Sequence, residues 1–130
     1  MKLISTRVHG VLDYLVGAVL IAAPWIFGFA DNGPAMWVPI AIGAMTILMA
    51  LITDFELSVA KIIPMRVHLM MDIAAGLLLA ASPWLFGFAE HVYLPHLVVG
   101  IMELAVVVLS ERELRGAADT NRHSDTRMAH

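Results

Sequence analysis

Residues 7–30 read RVHGVLDYLVGAVLIAAPWIFGFA, and residues 66–89 read RVHLMMDIAAGLLLAASPWLFGFA. The two stretches align without gaps. They share Arg7/Arg66, His9/His68, Asp13/Asp72, Gly17/Gly76, and the run from Pro24-Trp25 to Phe29-Ala30 against Pro83-Trp84 to Phe88-Ala89. Self-similarity of this kind marks a chain built from repeated supersecondary units. The segments after the two copies also correspond, more loosely: GAMTILMALITDFEL at 43–57 against GIMELAVVVLSEREL at 100–114. Gly43 pairs with Gly100, Thr53 with Ser110, Asp54 with Glu111 and Glu56 with Glu113. The unit is two apolar segments, and the chain is two units.

The composition says what surrounds those segments. Sixty per cent of the 130 residues are hydrophobic and 15% are charged, against roughly 45–50% apolar and about 25% charged in soluble domains. A chain of this size has too little interior to hide that much apolar surface from water. A spanning helix needs roughly 17–25 apolar residues, and 8–29, 37–53, 67–88 and 94–109 supply four such runs, the second and fourth short. Asp31-Asn32-Gly33-Pro34 is a turn between the first pair, and Glu90-His91 marks the second. Pro24 and Pro83 disfavour helix at the residue before them, which predicts a kink there and a short aromatic stretch beyond. The first segment has the outline of a signal peptide, but its near copy lies in mid-chain, so no cleavage is expected.

With Ser82-Pro83-Trp84 in the second copy, Ala23-Pro24-Trp25 in the first, and Arg-x-His-x-x-x-Asp upstream of both, the chain resembles the SPW repeat family of small bacterial membrane proteins over residues 5–114. The first copy departs from the family's Ser-Pro-Trp at Ala23. The resemblance implies a membrane fold and no particular reaction.

All eight Lys and Arg residues fall at the N-terminus (Lys2, Arg7), in the central segment (Lys61, Arg66) or in the tail (Arg112, Arg115, Arg122, Arg127). The hairpins hold none and instead gather Trp25, Phe27, Phe29, Trp37, Trp84, Phe86, Phe88 and Tyr93. Positive charge marks the cytoplasmic side and aromatic belts mark interfaces. The expected protein is therefore an all-α, integral membrane four-helix bundle of two tandem parallel two-helix repeats, in a bacterial inner membrane with both termini cytoplasmic. Its membrane domain is expected over 1–114, with repeats at about 5–57 and 64–114, followed by a polar, disordered tail over 115–130. Two spans return the chain to its starting side, so the copies relate by a pseudo-twofold along the membrane normal. The matching Gly17, Gly43, Gly76 and Gly100 permit close helix approach.

The chemistry lies in polar groups inside these spans. His9 and Asp13 are four residues apart and share a helix face, as do His68 and Asp72. Glu103 and its duplicate position Thr46 reach a similar depth. A carboxylate inside a membrane is costly and normally finds partners in the bundle interior. In the plainest reading each Asp takes a hydrogen bond from its own-helix His, with Arg7 and Arg66 at the headgroups, and the layer locks the halves together as a structural or binding module. A second reading is a haem or divalent-metal site made by His9, Asp13, His68, Asp72 and Glu103, since imidazole and carboxylate suit several metals; the Glu-x-x-His pairs of di-iron bundles are absent. A third is proton or small-ion movement along the same groups. Pro24-Trp25 and Pro83-Trp84 read as kink and interface anchor.

Other classes have less to stand on. No basic stripe with interleaved aromatics points to nucleic acid, and no phosphate loop or activated nucleophile points to an enzyme. There are no cysteines, and the nine methionines scatter through apolar runs without a ligand ladder. His91 and His96 read as solvated or locally bonded, and His123 and His130 as too isolated for a metal tail. The expected surroundings are the lipid bilayer, with a second copy or an unidentified membrane protein as partner.

Overall fold

The computed structural model describes residues 5–128, with side chains through Ser110 and at Arg122. Four helices follow in order: α1 (Thr6–Ile26), α2 (Pro34–Ile52), α3 (Met65–Leu85) and α4 (Leu94–Met128). The first three are long and apolar enough to cross a membrane, and Leu94–Ser110 forms a shorter apolar helix at the start of α4. α4 continues as helix past the apolar run through residues 115–128, the stretch where composition suggested a tail. The side chains of Arg112, Arg115, His123 and Arg127 lie outside the described residues, as does His130 altogether.

Packing is closest within each repeat, α1 on α2 and α3 on α4. The duplicated glycines explain why. A Cβ on Gly43 would stand 2.6 Å from the Gly17 carbonyl oxygen, and one on Gly100 would stand 2.7 Å from that of Gly76. Backbones approach this closely only where both helices lack side chains, the usual means of helix association in lipid. Between repeats the contact is made by side chains, with Leu20 and Ile42 from one unit against Ala75 and Leu79 from the other. The outward faces carry Leu15, Val19, Leu48, Leu77, Val98 and Ile101, apolar surface that a bilayer accommodates without penalty.

The two repeat motifs end their helices in a way the local preferences did not suggest. Helix continues through Pro24 and Pro83, stopping two residues later. Gly28 and Gly87 then take φ +75°, and Phe29 and Phe88 donate back to the carbonyls of Pro24 and Pro83 at 2.8 Å. This is a glycine-terminated Schellman cap, so Pro-Trp-x-Phe-Gly-Phe is the last helical turn and its stop signal. The residues before the prolines, Ala23 and Ser82, are helical and buried. Each proline leaves the carbonyl four residues back without its usual donor. In the second copy the Ser82 hydroxyl donates to that carbonyl, Leu79, at 2.7 Å; Ala23 has no hydroxyl to offer Leu20.

The first hairpin turns as expected. Asp31 accepts from the Gly33 amide, Asn32 has φ 65°, and Pro34 starts α2. The central segment is tied down at the opposite end of the bundle. Ile62 and Ile63 donate to the Ile52 carbonyl, the Tyr14 hydroxyl donates to Leu57, and Thr6 donates to the Glu56 carboxylate. That end holds the polar layer.

Candidate functional site

His9 and His68 lie in the first turns of α1 and α3, with Asp13 and Asp72 one turn further on. All four side chains are buried, both histidines only 1% exposed. Equivalent residues of the two helices face each other, so the four side chains meet in one ring. The closer contacts are crossed ones: His9 Nε2 is 2.8 Å from Asp72 Oδ2, and His68 Nε2 is 2.6 Å from Asp13 Oδ2. The own-helix distances are longer, 3.2 Å for His9–Asp13 and 3.1 Å for His68–Asp72. The expected own-helix pairs are therefore present, and the crossed contacts, which the spacing did not suggest, are the shorter ones. Each imidazole Nε2 thus stands between both carboxylates, nearer the one from the other repeat.

The outer nitrogens repeat the exchange. His9 Nδ1 is 2.8 Å from Ser110 Oγ, and His68 Nδ1 is 2.8 Å from Thr53 Oγ1. Each histidine is thus held by an aspartate and a hydroxyl that both belong to the other repeat. Thr53 and Ser110 were absent from the sequence-derived site. The available signal was their pairing in the repeat alignment, a hydroxyl kept at matching positions where the spans end.

The hydrogens can be followed on one side of the ring. The Thr53 hydroxyl donates to the Met49 carbonyl, so its oxygen is an acceptor toward His68, and Nδ1 of His68 is the N–H that donates. Nε2 of His68 therefore faces the two carboxylates with either a second hydrogen or a lone pair.

Glu103 on α4 is buried beside this ring, and its Oε2 has no partner among the described residues. A cavity of about 30 Å³ lies between them, lined by His9, Asp13, Asp72, Glu103 and apolar neighbours, room for about one water. Thr46, the duplicate of Glu103, is buried with an unpartnered hydroxyl. The four ring residues offer ligand atoms that all lie within 4.8 Å of one another. A porphyrin has no space here, since both carboxylates occupy the gap between the imidazoles. Arg7 and Arg66 are exposed at the same end.

The other expected residues sit at the far end. Trp25 and Trp84 are exposed and Pro24 and Pro83 buried, with Trp84 against Tyr93 at 5.9 Å between ring centroids. His96 is corrected. Far from being solvated, it is buried between the repeats, its ring 5.2 Å from that of Phe29 and 4.9 Å from that of Phe88. Its Nε2–H donates to the Ala35 carbonyl at 2.9 Å. Ala35 lies four residues before Pro39, so this is the carbonyl that Pro39 leaves without a backbone donor. His91 is exposed and does not join it.

The SPW repeat domain model matches residues 7–110, which takes in both Pro-Trp motifs and the whole ring. The chain belongs to the SPW repeat family. No curated protein and no solved structure matches it. In this SPW repeat protein a buried His/Asp/Glu cluster joins the two halves of a small multi-pass membrane protein.

Proposed function

We propose that this SPW repeat protein is a non-catalytic membrane module in which the His–Asp ring clamps one repeat to the other, so that the bundle serves as a structural or binding unit for a second copy or another membrane protein. The crossed pairing supports this reading most directly: each histidine is satisfied by residues of the opposite repeat. Separating the repeats would leave four buried ionisable groups unpaired, and breaking such a pair costs about 3–5 kcal/mol. The test is thermal unfolding in mild detergent. His9→Ala and His68→Ala should each lower the Tm sharply, and an unchanged Tm in both would sink the clamp.

The module is proposed to sit in a bacterial cytoplasmic membrane with the hairpins outward and both termini cytoplasmic, from the one-sided Lys and Arg distribution. The chain has no cysteine, so single cysteines at Asn32 and Lys61 give a clean assay. In intact cells a membrane-impermeant maleimide should label the first and spare the second; the reverse pattern would invert the topology.

A second reading is proton or small-ion movement. It draws on Glu103, whose unpartnered Oε2 stands by a water-sized cavity shared with Asp13 and Asp72. It requires flux in liposomes that Glu103→Gln abolishes without unfolding the bundle.

A further inference from the structure

We infer that the ring formed by His9, Asp13, His68 and Asp72 is a binding site for one divalent transition metal of the zinc class, placed on the pseudo-twofold axis between the repeats. This rests on the clamp reading and adds the ion that the clamp closes around.

Geometry comes first. The nitrogen and oxygen atoms alternate around the ring with N···O distances of 2.6, 2.8, 3.1 and 3.2 Å. A tetrahedral ion with bonds of about 2.0–2.1 Å keeps its ligands about 3.3–3.4 Å apart, so the ring would open by about 0.1–0.8 Å, most at the His68–Asp13 contact, to enclose one. Two imidazoles and two carboxylates are a donor set that such ions accept. Two aspartates also supply the two negative charges that a divalent ion cancels, which matters in a site shielded from water.

Orientation is the independent observation. Metal-binding histidines donate their outer N–H to a fixed acceptor, which holds the ring and turns the other nitrogen inward. Thr53 does this for His68, because its own hydrogen is committed to the Met49 carbonyl. Ser110 stands in the same place for His9. Nε2 of His68 then meets a carboxylate oxygen at 2.6 Å, a separation that calls for a cation between them, a proton or a metal. The cavity beside the ring is shared with Glu103, whose unpartnered carboxylate is suited to accept from a water bound to the ion.

The experiment uses the full chain purified in mild detergent, stripped with EDTA, re-equilibrated with Zn(II) and desalted. Elemental analysis should find one zinc per chain, with the Tm higher than in the stripped protein. Co(II) in its place should give the visible absorption of a four-coordinate site. Asp13→Asn and Asp72→Asn, which keep side-chain size, should lose the metal while circular dichroism still reports helix. Thr53→Val and Ser110→Ala should weaken zinc binding by about 10–100-fold, the usual effect of removing an outer partner of a ligand. Wild-type protein that stays folded yet holds no zinc, or zinc retained by Asp13→Asn/Asp72→Asn, would overturn the site. The clamp is judged separately, on metal-free protein. If His9→Ala and His68→Ala still lower the stripped protein's Tm, the clamp stands on hydrogen bonds whether or not zinc binds; if they do not, the clamp reading fails on its own.

Discussion

The two repeats are joined at both ends of the bundle, by opposite strategies. At the end where α1 and α3 begin, the joint is symmetric: His9, Asp72 and Ser110 on one side, His68, Asp13 and Thr53 on the other. At the hairpin end it is asymmetric. His96 of the second repeat enters between Phe29 and Phe88 and takes the carbonyl that Pro39 of the first repeat exposes. The duplicate position of His96 is Pro39 itself, so one repeat supplies the bare carbonyl and the other the donor. Duplication yields the first kind of joint, because each repeat offers the other an equivalent histidine, aspartate and hydroxyl. The second kind needs the copies to diverge.

The largest expected effect tests the symmetric joint. His9→Ala should destabilise the bundle by about 3–5 kcal/mol, as expected for one partner removed from a buried pair, read by denaturation in detergent. A double-mutant cycle then sharpens the pairing: coupling of His9→Ala with Asp72→Asn should exceed that with Asp13→Asn. Equal couplings would mean that the crossed geometry has no energetic meaning.

At the other end, His96→Leu leaves the Ala35 carbonyl buried without its donor and should cost about 1–3 kcal/mol. Pro39→Ala gives α2 back the backbone N–H that can bond Ala35. His96→Leu/Pro39→Ala should therefore be more stable than His96→Leu alone. If the second change adds to the damage, the joint depends on ring packing and not on the carbonyl.

The smallest effects concern the two Pro-Trp motifs. Ser82→Ala removes the hydroxyl that serves Leu79 and should cost about 0.5–1.5 kcal/mol. Ala23→Ser places the same hydroxyl beside Leu20 and should stabilise by a similar or smaller amount. A Tm scale fine enough to separate these variants will show whether serine before the proline is a structural substitute for the lost backbone bond.

Much of this architecture was readable in the chain. The duplicated stretch at 7–30 and 66–89 determined two units of two helices, because helices in lipid satisfy their own backbone and need only length and apolarity. The matching glycines predicted the close approach within each unit, and His9, Asp13, His68 and Asp72 stood out because ionisable groups are rare in such segments. Only the tertiary structure decided who bonds to whom. Spacing of four residues favours the own-helix pair, while the axis between α1 and α3 brings the opposite aspartate closer. Thr53 and Ser110 are ordinary residues at span ends until the other repeat's imidazole arrives, and His96 acquires its role from a proline 57 positions earlier. Periodicity and composition act along the chain and so are legible in it. Hydrogen bonds between distant segments depend on how the helices are placed in space, and one sequence taken alone does not record that placement.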